Sequence, residues 1–137
     1  MATKRKWILA FFALFGAFTF LSLNWHSHRP KFTYHSEIWG DKAGYHVFLP
    51  ALFDYNFDPA RFPDDVDQRT GNGFMLDSLP GNVVTKYTCG VAILRAPFYL
   101  IGALFREADD PGGPGFTLAD HAMIDVAAAF YCTCGLV

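Results

Sequence analysis

Asp41 is the residue best placed for chemistry, because it lies near the start of a predicted amphipathic helix over residues 36–55. Three aromatic or apolar residues follow it at helical steps of four, three and four, namely Tyr45, Phe48 and Leu52. Such spacing puts one carboxylate above an apolar stripe on a single helical face, where it could act at a membrane surface. The same pattern also fits an ordinary solvated charge on an interfacial helix.

Two basic residues further along the chain are candidates for binding an anion. Lys86 comes just before the apolar segment 87–105, where an ammonium can meet a lipid phosphate or its side chain can snorkel to the interface. Arg95 lies near the middle of that segment, where a charge costs about 2.5 to 3.5 kcal/mol. We therefore expect Arg95 to face other helices or a wet cavity, and both ligand binding and an interhelical pair stay open.

Long apolar segments must position these side chains, and they predict an all-α integral membrane protein. Residues 7–25 and 87–105 are predicted to be complete transmembrane helices, and residues 121–137 a third helix that is cut short. We therefore expect residues 1–137 to be the N-terminal membrane region of a longer multi-span protein.

The first apolar run could be a membrane anchor or a secretory signal peptide. From residue 7 to residue 23 it would extend roughly 25 Å as a helix, which is just enough to cross the hydrocarbon core. We favour an uncleaved anchor, because the segment after it lacks a convincing small-x-small cleavage site. The basic residues before the run place the N-terminus in the cytoplasm, so residues 26–86 form an extracytoplasmic loop and residues 106–120 a cytoplasmic one.

Local signals in the loop predict where its backbone turns. Pro50 lacks an N–H group and should bend or divide the helix over residues 36–55. Residues 70–73 read Thr-Gly-Asn-Gly and should form a tight turn with positive φ angles.

Composition excludes several classes of function. A formal charge of −2, with no basic patch beyond residues 4–6, argues against a nucleic-acid partner. The three cysteines lie in apolar stretches and match no disulfide framework or zinc motif. The His26-x-His28 pair has no carboxylate or cysteine at a recognised ligand spacing, so we assign no metal ligand.

Taken together, the first span, Asp41-Lys-Ala-Gly-Tyr45 and the run from Thr85 to Phe98, which reads TKYTCGVAILRAPF, resemble the N-terminal part of a GT-C type membrane glycosyltransferase. The likeness is to the bacterial branch similar to protein mannosyltransferases and the lipid A aminoarabinose transferase. It implies a multi-pass protein of the bacterial cytoplasmic membrane that is in contact with membrane lipid.

By this resemblance, Asp41 takes the catalytic or metal-associated acidic position and Tyr45 the aromatic position one turn later. Lys86 and Tyr87 take the position that binds the phosphate of a polyprenyl-linked sugar donor, and we include Arg95 among the substrate-binding candidates. A divalent metal is compatible with the resemblance, although Lys42 follows Asp41 where the family often has a second acidic residue.

The implied reaction transfers a sugar from a polyprenyl phosphate carrier to an acceptor hydroxyl outside the cytoplasmic membrane. Asp41 would act as general base or hold the acceptor, and Lys86 would stabilise the leaving phosphate. The alternative is a non-catalytic multi-span protein whose loop helix docks a partner or lipid, which needs only the amphipathic stripe and the aromatic belts.

Overall fold

Helices dominate the fold, in agreement with the helical class predicted from the sequence. The computed structural model describes residues 2–26, 31–77, 79 and 81–137, and 58% of it is helical. The α-helices are α1 Ala2–Leu21, α2 Asp41–His46, α3 Phe48–Phe53, α4 Val66–Arg69, α5 Gly90–Ala103 and α6 Leu118–Leu136. A π-helical turn over Ser22–His26 continues α1, and a 3₁₀ turn covers Pro59–Arg61.

Only one helix in the described part of the chain is long and apolar enough to cross a membrane, at Lys4–Trp25. It matches the first predicted span. Helix α5 has 14 residues, so it is about 21 Å long and shorter than a hydrocarbon core of about 30 Å. Helix α6 covers the third predicted segment but carries Asp120, His121 and Asp125 in its first turns. The predicted count of two complete spans and a truncated third is therefore not met.

The predicted helix over residues 36–55 is divided in two, as expected from Pro50. Helix α2 ends at His46 and α3 begins at Phe48. Pro50 cannot donate a hydrogen bond to the carbonyl of His46, so the helical ladder is interrupted at this point. Residues 36–40 form turns before α2, which places Asp41 in the first turn of that helix.

Helices α1, α5 and α6 pack together through aromatic side chains. The Phe130 ring of α6 lies 5.9 Å from each of Phe11 and Phe15 in α1, and 5.5 Å from Phe98 in α5. The Tyr131 hydroxyl of α6 donates a 2.7 Å hydrogen bond to the backbone carbonyl of Leu94 in α5. Because residue 130 meets residues 11 and 15, the C-terminal half of α6 runs beside α1.

A second body of structure forms around the loop residues, with an apolar core of its own. That core contains ten buried residues, Ile38, Ala43, Val47, Ala51, Tyr55, Phe62, Val66, Phe74, Phe116 and Ile124. Phe116 and Ile124 come from beyond α5, so the segment after α5 folds onto the segment before it.

The loop after α5 packs against residues 31–70. This contact overturns the expectation that residues 106–120 lie on the opposite side of the membrane from that segment. Lys31 forms an ion pair with Asp110. The Tyr55 hydroxyl donates a 2.7 Å hydrogen bond to the carbonyl of Pro114. Gly115 has φ +86°, and a Cβ atom there would collide with Pro50. Direct contacts of this kind cannot form across a hydrocarbon core of about 30 Å.

A short antiparallel hairpin precedes α5. Its strands are β1 Met75–Asp77 and β2 Asn82–Val84, with Leu76 paired to Val83. The turn before β1 has φ +79° at Gly71 and +55° at Asn72, which confirms the predicted positive φ angles. No strand pattern in the sequence had predicted the hairpin. Strand β2 of the hairpin ends two residues before Lys86.

Candidate functional site

Four of the five predicted site residues meet at one place on the surface. We call Asp41, Tyr45, Lys86 and Tyr87 the Asp41 cluster. The Tyr87 hydroxyl donates a hydrogen bond to Oδ1 of Asp41. The Tyr45 and Tyr87 rings lie 4.4 Å apart between centroids, and the Lys86 ammonium lies 5.1 Å from the centroid of the Tyr87 ring. The structure thus joins residues that are about 45 positions apart in the sequence.

Close backbone packing holds the Tyr87 ring against α2. A Cβ atom at Gly44 would overlap both the Tyr87 ring and the carbonyl of Gly73, so only glycine permits this approach. The Thr85 hydroxyl donates a 3.0 Å hydrogen bond to the carbonyl of Gly44 and accepts one of 3.3 Å from the backbone N–H of Tyr87. The end of the hairpin is therefore tied to the middle of α2.

Within the Asp41 cluster, neighbouring groups favour the protonated forms of Tyr87 and Lys86. The hydrogen bond to Asp41 raises the pKa of the Tyr87 hydroxyl, which therefore stays protonated. Its interaction with Tyr87 raises the pKa of Lys86, which therefore stays cationic. Asp41 and Lys86 are both exposed, so a carboxylate and an ammonium face solvent beside the half-buried Tyr87.

Arg95 lies apart from the Asp41 cluster, beside a small cavity between α2, α5 and α6. The cavity is lined by His46, Tyr99, Asp120 and apolar neighbours, and its volume is about 10 Å³. This is about the volume that one water molecule requires, and too small for a phosphate group. The Nη1 atom of Arg95 is buried without a hydrogen-bond partner among the described residues. The substrate-binding role of Arg95 stays a prediction, at a position apart from the other four site residues.

At the far end of α5 lies an ion network that the sequence analysis missed. We call Arg106, Asp54, Asp120 and Tyr99 the Arg106 network. Arg106 donates to Asp120 at 2.9 and 3.0 Å and to Asp54 at 3.0 Å. The Tyr99 hydroxyl donates to the other oxygen of Asp54, and the guanidinium lies 4.5 Å from the Tyr99 ring centroid.

The Arg106 network is largely buried, and its polar groups form hydrogen bonds with one another. The side chain of Asp120 has no exposed area, and that of Arg106 is 12% exposed. Burial disfavours the charge on Arg106, but the hydrogen bonds to Asp120 and the nearby carboxylates outweigh it and raise the pKa overall. Asp120 also accepts from the N–H and hydroxyl of Thr117, forming a capping box at the start of α6. The Thr-x-x-Asp spacing at 117–120 was the sequence signal for this helix start.

Two buried imidazoles lie close to this network. His121 Nδ1 is 3.3 Å from a carboxylate oxygen of Glu37, 84 positions earlier in the chain. His46 Nε2 donates a 2.7 Å hydrogen bond to the carbonyl of Gly115. Burial lowers the pKa of His46 to about 4, although Gly115 and Asp120 favour its protonated form. The first contact fastens the segment before α2 to α6, and the second fastens α2 to the loop that precedes α6.

The described residues contain no group of three or more His, Cys, Asp or Glu side chains that could hold a metal ion. Asp41, the acidic residue that the resemblance associates with a metal, accepts a hydrogen bond from Tyr87 at Oδ1. His28 and the side chain of His26 lie outside what the structure describes.

A separate apolar groove runs between α3 and α5, with a volume of about 260 Å³. Its walls include Phe48, Leu52, Phe57, Cys89 and Ile93. Phe48 and Leu52 belong to the stripe predicted from the sequence, and Leu52 is 57% exposed. The stripe therefore faces outward, because Ala43, Val47 and Ala51 fill the core on the opposite face of the two helices.

No protein-family model matches the chain, and neither the curated proteins nor the solved structures include one with detectable similarity to it.

Proposed function

We propose that this chain is the N-terminal part of a bacterial membrane glycosyltransferase of the GT-C type, with the Asp41 cluster at its reaction centre. The observation that carries the proposal is the convergence of Asp41, Tyr87 and Lys86 on one exposed surface. An exposed carboxylate beside an exposed ammonium provides a base and an anion-binding group in one place.

In the proposed reaction, an acceptor hydroxyl attacks the anomeric carbon of a sugar linked to polyprenyl phosphate. The new carbon–oxygen bond forms as the bond to the phosphate oxygen breaks, and Asp41 accepts the hydroxyl proton. Lys86 stabilises the negative charge on the departing polyprenyl phosphate. Tyr87 donates to Oδ1 of Asp41, while Oδ2 has no hydrogen-bond partner among the described residues and can face the acceptor.

The proposed topology differs from that expected from the sequence. Helix α1 crosses the cytoplasmic membrane with its N-terminus in the cytoplasm, and the C-terminal half of α6 packs beside it. The segments around Lys31 and Tyr55 and the loop after α5 then lie together outside, because Lys31 pairs with Asp110 and Tyr55 donates to Pro114. Helix α5 packs on α6 through Phe98 and Phe130, and its exposed Ile93 and Leu94 can contact lipid.

Replacement of Asp41 by asparagine tests the catalytic role. We expect Asp41→Asn to abolish sugar transfer in membranes containing the full-length natural protein, because the amide cannot accept the proton. Membrane insertion and the unfolding temperature should stay unchanged, since Asp41 is exposed. The matched control is Asp64→Asn, which changes another exposed aspartate. Full transfer activity in Asp41→Asn would rule out the assigned role.

The apolar groove supports a second candidate function, a non-catalytic protein that docks a lipid or partner through α3 and α5. Leu52 and Ile93 are 57% and 66% exposed, so an apolar ligand could cover them. The two functions differ in their dependence on Lys86. Binding of a polyprenyl phosphate should weaken in Lys86→Ala if the chain is a transferase, whereas a docking protein should respond to Ile93→Asp and not to Lys86→Ala.

A further inference from the structure

A second groove adjoins the Asp41 cluster and has a different chemical character from the apolar one. Its volume is about 320 Å³, and it lies between the turn before β1 and the end of β2. Four polar residues, Asp67, Asn72, Thr85 and Lys86, line it together with the exposed Met75 and Val84. The volume is at the lower end of the range for small-molecule sites.

The fold fixes the polar groups at this groove before any ligand binds. Asp67 accepts hydrogen bonds from the backbone N–H groups of Gln68 and Leu76, at 2.9 and 3.3 Å. Asn72 is held in the left-handed region at φ +55°, and its backbone N–H donates to the carbonyl of Asp67 at 2.8 Å. The side-chain amide of Asn72 is exposed and has no hydrogen-bond partner among the described residues. It can therefore both donate to and accept from a ligand.

The groove and the Asp41 cluster share a wall. Lys86 lines the groove and also contacts the Tyr87 ring. Gly73 lies so close to Gly40 and Gly44 that a Cβ atom there would overlap their backbone atoms. A ligand whose anionic group meets Lys86 could therefore extend into the groove while its reacting atom stays near Asp41.

We propose that this groove binds the sugar head of a glycosyl phosphate, with the phosphate at Lys86 and the sugar hydroxyls at Asn72 and Asp67. The inference rests on the proposed transferase function and deepens it by assigning the sugar subsite. A carboxylate and an amide suit hydroxyl groups, which both donate and accept hydrogen bonds. Met75 and Val84 offer an apolar surface to the C–H face of a sugar ring.

Binding measurements on the full chain in nanodiscs test the subsite. The probes are a bare polyprenyl phosphate and the same lipid phosphate carrying mannose, glucose or aminoarabinose. We expect at least one sugar-bearing probe to bind more tightly than the bare one. Asn72→Gly keeps the left-handed backbone and removes the amide, so it should weaken binding of that probe about tenfold while leaving bare polyprenyl phosphate unaffected.

A matched control is available at Asn56, another exposed asparagine with φ +52° that does not line the groove. Asn56→Gly should leave the binding of both probes unchanged. Equal binding of the sugar-bearing probe by wild type and Asn72→Gly would overturn the subsite, even if bare polyprenyl phosphate still binds through Lys86. If neither probe binds the wild-type chain, the proposed function fails together with the subsite.

Discussion

The two ends of α5 carry similar chemical groups in opposite environments. At its start, Tyr87 donates to the exposed carboxylate of Asp41 beside the cationic Lys86. At its end, Tyr99 donates to the carboxylate of Asp54 beside the cationic Arg106, and this network is largely buried. Each end thus combines a tyrosine, an aspartate and a basic residue.

The two ends of α5 differ in how many hydrogen-bond and ion-pair partners their charged groups already have. In the Arg106 network, the guanidinium meets two carboxylates and Asp120 also caps α6. In the Asp41 cluster, Lys86 has no ion pair among the described residues and remains exposed. Buried groups whose hydrogen bonds and ion pairs are complete form a structural network. Exposed groups that lack some of these partners can still bind a ligand.

The largest effect should follow from removing the cation of the buried network. Arg106→Met leaves Asp120 buried without its ion-pair partner, and we expect a loss of about 3 to 5 kcal/mol in the free energy of unfolding. Chemical denaturation in detergent micelles measures this. The exposed Arg61 provides the control, since Arg61→Met should change stability by less than about 0.5 kcal/mol. A comparable small change in Arg106→Met would show that the network is not structural.

A second large effect concerns pH. His46 has a pKa of about 4 in the folded chain and an ordinary value of 6.5, so the unfolded state binds the proton first as the pH falls. Stability should therefore be highest above about pH 6.5 and should decline toward pH 4, by on the order of 3 kcal/mol in total. The comparison is with His46→Gln, which can still donate to the carbonyl of Gly115.

Unfolding of wild type and His46→Gln should be followed from pH 8 to pH 4. Glu37, Asp120 and His121 are present in both proteins, so the difference between the two curves isolates His46. Parallel curves would contradict the proposed burial of a neutral imidazole at this position.

A smaller effect should come from crowding the Asp41 cluster. A Cβ atom at Gly44 overlaps the Tyr87 ring and the carbonyl of Gly73, so Gly44→Ala should cost about 1 to 3 kcal/mol and separate α2 from the hairpin. At Gly90, by contrast, a Cβ atom meets nothing within 4 Å, and Gly90→Ala should be neutral or slightly stabilising. Unchanged stability in Gly44→Ala would mean that α2 and Tyr87 are not tightly packed.

Local patterns in the sequence predicted several features correctly. The apolar run at the N-terminus, the division of the helix at Pro50 and the positive φ angles near Gly71 all depend on neighbouring residues alone. The contact of Asp41 with Tyr87 was not predicted, because spacing along a helix cannot bring together residues about 45 positions apart.

Long-range contacts account for what the sequence analysis missed. The pairing of Glu37 with His121 and of Asp54 with Arg106 depends on the return of the chain after α5. Hydropathy suggested a membrane span over residues 87–105, whereas the structure places Arg106 at the end of α5 against the loop helices. An apolar helix packed beside other helices and a helix in lipid have the same composition, so hydropathy alone could not distinguish them.

The most direct test of the account is to compare the binding of bare polyprenyl phosphate to the wild-type chain, Lys86→Ala and Arg61→Ala in nanodiscs. Both variants remove one exposed basic side chain, but only Lys86 belongs to the Asp41 cluster. We predict that Lys86→Ala weakens binding about tenfold and that Arg61→Ala leaves it unchanged. Equal affinities for all three proteins would contradict the assignment of the exposed end of α5 as the ligand site.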